Sequence, residues 1–130
     1  MSMFFTVRKK HQCENMNHFD SLPEFEREFK RLSKRYRSLH QDFNDLEDVL
    51  RVLPTGSGKN FTIIYHSEKV KLVKVRLACK SLRGRSIRVI YAYHNDTAAF
   101  VYIEMYFKGN KTNENRERIR DYLKLGTGFN

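Results

Sequence analysis

The sequence predicts an α+β fold in one domain: a helical hairpin, an antiparallel sheet and a closing helix. Three observations carry this. Between Ser21 and Pro54, apolar residues recur twice at helical spacing. From Leu72 to Lys108, three runs rich in Val, Ile, Tyr and Phe are separated by turn-like breaks at Ser81 to Arg85 and His94 to Thr97, the pattern of a meander. A charged amphipathic segment follows. At 130 residues and 40% hydrophobic content, the chain can bury one core and is too apolar to be disordered.

The elements read in order as follows. Residues 1–18 are poorly defined, with a first strand either at Met3 to Val7 or nearer Asn15 to Phe19. Ser21 and Glu24, with Pro23 between them, predict a capping box that opens a helix. Phe25, Phe29, Leu32 and Tyr36 then trace one helical face. Ser38 and Gln41 suggest a second, weaker box, and Leu39, Phe43, Leu46, Val49, Leu50 and Leu53 form the next apolar stripe. Pro54, Thr55 and Gly56 end it. The short link at Arg37 and Ser38 predicts an antiparallel helical hairpin. Gly56 to Lys59 superficially suggests a phosphate loop. That motif needs Gly at 53 and Ser or Thr at 60, where Leu53 and Asn60 stand, so a turn is the reading. Phe61 to Tyr65 is a strand or an ordered loop.

Three strands are placed at about Lys71 to Lys80, Ser86 to His94 and Ala98 to Phe107. A third helix is placed at Thr112 to Lys124, with Ile119, Tyr122 and Leu123 as its apolar edge and 125–130 as a tail. In the first strand, Val73, Val75 and Leu77 leave one face while Lys74 and Arg76 leave the other. One face can therefore bury itself while the other presents fixed charge. The expected core joins Phe25, Phe29, Leu32, Phe43, Leu46, Leu50, Val75, Leu77, Val89, Tyr91 and Ile103. Tyr91 depends on the register of its strand.

Charge points to a partner. The formal net charge is +10 and the pI about 9.8, a balance that favours polyanions. From Lys59 to Arg88 there are nine Lys or Arg and one acid, Glu68, so the positive field belongs to the strands. The same cations also suit an exposed strand face that resists edge pairing. Cys13 and Cys79 form neither a metal-ligand pattern nor a disulfide framework. No cofactor is expected. No run approaches a membrane span and no secretory h-region is visible, so a cytoplasmic protein without a membrane partner is the expectation.

The helical hairpin, then KVRLACKSLRGRSIRVIYAY, then FVYIEMYFKGNK and a charged helix, resembles the RelE/ParE superfamily of toxins from type II toxin–antitoxin modules, over roughly Phe19 to Leu123. The resemblance implies a RelE-like small domain: two N-terminal helices packed on an antiparallel sheet with a concave basic face. It implies a metal-independent, ribosome-dependent mRNA endoribonuclease that inhibits translation. A cognate antitoxin and mRNA on the ribosome would be its partners. By position, Lys74 and Arg76 match the paired cations of the family's first meander strand, Arg88 the arginine of the next, and Lys108 a cation just beyond the last strand. These four are the candidate catalytic set. Lys71, Lys80, Arg83, Arg85, Tyr106 and Lys111 are candidate RNA contacts. The family often places an aromatic or histidine soon after the last cation; here Asn110 to Asn115 contain neither.

Cutting RNA without a metal needs a proton taken from the 2′-OH, a stabilised pentavalent phosphate and a proton given to the 5′-oxygen. Arg76 and Arg88 suit phosphate oxygens. Crowding by arginines disfavours a lysine's charged form, which would fit Lys74 as general base. Lys108 would be the acid or a further phosphate contact. Glu104 and His94 are weaker candidates, and the phenol of Tyr106 could face either way. The alternatives are a non-catalytic ParE-like gyrase inhibitor and a degenerate nucleic-acid-binding member of the fold.

Overall fold

The computed structural model describes residues 18–83 and 85–127, with side chains to Leu125. Its elements are β1 (His18–Ser21), α1 (Pro23–Arg35), α2 (Leu39–Val52), β2 (Phe61–His66), β3 (Val70–Ala78), a short 3-10 turn (Lys80–Leu82), β4 (Ser86–His94), β5 (Ala99–Phe107) and α3 (Arg116–Thr127). The sheet has five strands in the order β1-β5-β4-β3-β2. β2 to β5 form an antiparallel meander, and β1 pairs with β5 in parallel. The proposed strand at Met3 to Val7 lies outside the described residues; the one near Phe19 is β1.

Both capping boxes fail, each for a local reason. Ser21 is the last residue of β1, paired with Tyr102. Leu22 therefore becomes the cap, Pro23 opens α1, and the Ser21 hydroxyl donates to Glu26 Oε2 at 2.8 Å. Pro is tolerated there because its missing N–H would be unpaired anyway. Ser38 does precede α2, but its hydroxyl donates to Asp42 Oδ2 at 2.7 Å and accepts the Ser81 N–H at 2.9 Å instead of an N–H of the helix. The same carboxylate oxygen accepts the Lys80 N–H at 3.1 Å, fastening the β3–β4 connection to α2.

α1 and α2 lie on one face of the sheet. Phe25, Phe29, Leu32, Phe43, Leu46 and Leu50 meet Val75, Leu77, Val89 and Tyr91 in a single core. Tyr91 is fully buried, and its hydroxyl donates to the Pro54 carbonyl at 2.7 Å. Ile103 departs from expectation. It sits on the opposite face, in a second core with Val70, Leu72, Ile90 and Ala92, closed by Ile119, Tyr122 and Leu123 of α3. The cause is an irregularity in the β4–β5 register: Tyr91 pairs with Tyr102 but Ile90 with Glu104. A bulge of this kind puts neighbours Ile103 and Glu104 on the same side.

The second face is thus only half cationic. Its apolar half is roofed by α3, and the charge is confined to the end where β3 finishes and β4 begins. α3 also starts later than Thr112, because Asn115 caps it: the Asn115 side-chain oxygen accepts the Arg118 N–H at 3.0 Å. Beyond the end of β1, the outer edge of β5 is sealed by an acid–base clasp. Glu28 of α1 accepts the Met105 N–H at 3.0 Å, and Arg118 of α3 donates to the Ile103 carbonyl at 2.9 Å. The two side chains pair at 2.8 Å. Unpaired edge groups are costly when covered, and this clasp satisfies them.

Candidate functional site

Strand register assembles the site. Arg76 on β3 stands directly opposite Arg88 on β4, and Arg88 directly opposite Tyr106 on β5. The next row is Lys74, Ile90 and Glu104. All these side chains leave the face away from the helical hairpin, as period-two alternation requires.

Two guanidinium groups placed opposite each other repel. Arg76 is exposed, but Arg88 is 8% exposed. Burial, and then the charge of Arg76, hold the Arg88 pKa below its usual value, with Tyr106 opposing. Arg88 donates to Ser86 Oγ, a neutral group, and no carboxylate forms an ion pair with it among the described residues. It also lines a cleft of about 310 Å³ with Arg85, Ser86, Phe107, Lys108 and Gly109. The Arg85 guanidinium lies over the Phe107 ring at 5.3 Å. Lys108 is exposed at the mouth. Three cations thus converge on one open cleft, with Arg76 across the adjoining strand pair.

Beside this cleft the charges are paired. Lys74 Nζ lies 3.1 Å from Glu114 Oε1 in the loop before α3. Lys111 pairs with the buried Glu104, which also accepts the Asn115 N–H at 2.7 Å. Tyr106 faces the cationic side but is 5% exposed, with Lys111 Nζ 5.4 Å from its ring centroid. Burial, followed by the charges of Glu114 and Glu104, pushes its phenol up to about 12 against the pull of Arg88. Burial alone would raise the Glu114 pKa. Its backbone hydrogen bond, the Lys74 ammonium and Arg116 outweigh burial and hold it below the usual range.

The fold therefore gathers Lys74, Arg76, Arg85, Arg88, Tyr106, Lys108 and Lys111 at one end of the sheet. It separates Lys71, which pairs with Tyr93 on the hairpin face. Lys80 and Arg83 are exposed on the β3–β4 connection and do not line the cleft. His94 ends the far side of β4, bonded to Tyr122 of α3. Sequence reasoning missed Glu114, Ser86 and Phe107. Phe107 could have been noticed as the aromatic flanking Lys108; nothing local marks a loop glutamate as the partner of a lysine on β3. Among the described residues, no three His, Cys, Asp or Glu side chains come together as metal ligands.

No protein-family model matches this sequence, and no curated protein matches it significantly. Among solved structures, the chain is similar to one in the crystal structure of the archaeal RelE–RelB complex from Pyrococcus horikoshii OT3, with a TM-score of 0.57 and 16% identity over 72% of this chain and 97% of that one. The fold is accordingly RelE-like: α+β, with the helices and the mostly antiparallel sheet described above.

Proposed function

We propose that this chain is the toxin of a toxin–antitoxin pair and acts as an mRNA endoribonuclease that depends on the ribosome. The observation that carries the reading is Arg88: a nearly buried guanidinium facing a second guanidinium, open to a cleft that Lys108 and Arg85 also line. Such a like-charge arrangement is costly unless an anion completes it, and perturbed groups in clefts mark functional sites.

A phosphodiester would supply that anion. Arg88 and Arg76 would hold its oxygens and stabilise the pentavalent state formed as the 2′-oxygen attacks. Lys74, once freed from Glu114, would first meet the phosphate beside the attacking 2′-OH as an ammonium. After losing its proton to solvent it would take the 2′-OH proton, and Lys108 would give one to the departing 5′-oxygen. So few acid–base groups leave much of the rate to orientation, which the ribosome supplies. A cognate antitoxin with an acidic or amphipathic segment fits the same cationic end. Among the described residues, no helix is long and apolar enough to cross a membrane.

A second reading is non-catalytic binding, as in a ParE-like gyrase inhibitor or a degenerate nucleic-acid-binding member. It is favoured by the burial of Tyr106, the Lys74–Glu114 pair and the lack of an aromatic or histidine in residues 110–115. Expression without an antitoxin separates the two. Growth arrest with new 5′ ends inside translated messages, lost with Arg88→Ala and with Lys74→Arg, supports the nuclease. Arrest with intact messages and altered DNA topology would support the gyrase inhibitor instead.

A further inference from the structure

Lys74 does not face solvent as a free cation. Its ammonium sits 3.1 Å from Glu114, and the two side chains are 29% and 10% exposed. Glu114 is not held there by Lys74 alone. The next residue, Asn115, is anchored twice: its N–H donates to buried Glu104 at 2.7 Å, and its side chain caps α3. Lys111, earlier in the same loop, also pairs with Glu104. The loop before α3 is therefore pinned on both sides of Glu114, and the Glu114 carboxylate is delivered to Lys74 by a built scaffold.

We infer that Glu114 is a specificity-determining gate: it occupies the position on Lys74 that a backbone phosphate of the substrate would take, so Lys74 engages only a substrate able to displace it. This rests on the phosphate-site reading above and deepens it. A carboxylate and a phosphate offer the same lone-pair donors to an ammonium. They cannot both hold Lys74 at full strength. Arg88 and Lys108, by contrast, have no carboxylate ion-pair partner within 4 Å among the described residues. A free single strand would meet those cations first and find Lys74 shielded. A strand already positioned, with one phosphate aimed at Lys74, would exchange for Glu114. The gate thereby discriminates between loose and oriented RNA.

The test is binding of a fluorescein-labelled single-stranded RNA to the full chain, followed by anisotropy over a salt series. Wild type is compared with Glu114→Gln, Lys74→Gln, the double variant and Arg88→Gln. Glu114→Gln keeps the side-chain shape and removes the competing charge. The expected gain in affinity is up to about fivefold, the scale of one partly exposed ion pair. The log–log salt slope should steepen by about 0.7, one further phosphate contact on a single strand. In the Lys74→Gln background the same change should have no effect.

A Glu114→Gln variant that binds no better, or worse, overturns the gate, as does a gain that persists without Lys74. Either result leaves the phosphate-site reading intact if Arg88→Gln weakens binding. If Arg88→Gln binds like wild type while Glu114→Gln still gains through Lys74, the gate stands and the reading of Arg88 falls. No binding by any variant overturns both.

Discussion

Replacing Arg88 by Met should stabilise the fold while abolishing function. Arg88 is nearly buried, faces Arg76 across β3–β4 and donates to the Ser86 hydroxyl, with no carboxylate ion-paired to it among the described residues. Like charges directly opposite on neighbouring strands cost about 0.2–1 kcal/mol. Met removes that repulsion and the cost of burying a charge, and keeps a flexible apolar stem of similar length. A gain of about 1 kcal/mol corresponds to a rise in Tm of roughly 3–6 °C for a domain of this size. The assay is thermal denaturation by circular dichroism at low and high salt. Wild type should gain Tm with salt as Arg76 and Arg88 are screened, and the variant should gain less. A residue kept for structure would behave oppositely. If Arg88→Met melts well below wild type, Arg88 is a structural cation and the phosphate-site assignment loses its main support.

The edge clasp gives a second expectation. Arg118→Met should destabilise by about 1–3 kcal/mol in urea titrations, because it strips the Ile103 carbonyl and leaves Glu28 unpaired. Phe29→Ala or Leu46→Ala should cost about 2–5 kcal/mol, since both fill the core under the hairpin; melts matching the parent would contradict that packing. The His94 pKa is lowered, by burial first and against the opposing charge of Asp96. The neutral ring is thus favoured in the folded chain, so its contribution is full above the ordinary histidine pKa and is lost as pH falls below it toward the folded value. Urea titrations through that window should show a loss of stability that His94→Gln lacks.

The helices and the meander were legible because each is a local pattern. Phe25, Phe29, Leu32 and Phe43 mark their face by spacing alone, and β4 begins and ends where its turn residues place it. What escaped was set by partners distant in sequence. The sequence leaves the first strand open between Met3 to Val7 and the stretch near Phe19, because β1 is a strand through its parallel pairing with β5. Ile103 changed faces through one extra residue in β5, which alternation cannot foresee. The residues 112–115 read as helix were drawn into the loop that Glu104 anchors. At the site, Lys74, Arg76 and Arg88 share a face because strand parity says so. Their differing condition is tertiary: Lys74 paired, Arg76 open, Arg88 buried. Lys71 shows the limit of reading charge without parity, since one residue places it on the hairpin face.

The most direct test of the cleft is cleavage by the purified chain on a reconstituted ribosome carrying a defined message, read by primer extension. Wild type should cut the message at the ribosome and leave the same RNA intact when naked. Arg88→Ala should slow that cleavage by about 10²–10³-fold, the loss typical of one preorganised contact to developing charge, with the fold unchanged by circular dichroism. Cleavage at the wild-type rate by Arg88→Ala, or ribosome-bound message left whole by a wild-type chain that still arrests growth, would contradict the assignment of this cleft as the phosphate site of a nuclease.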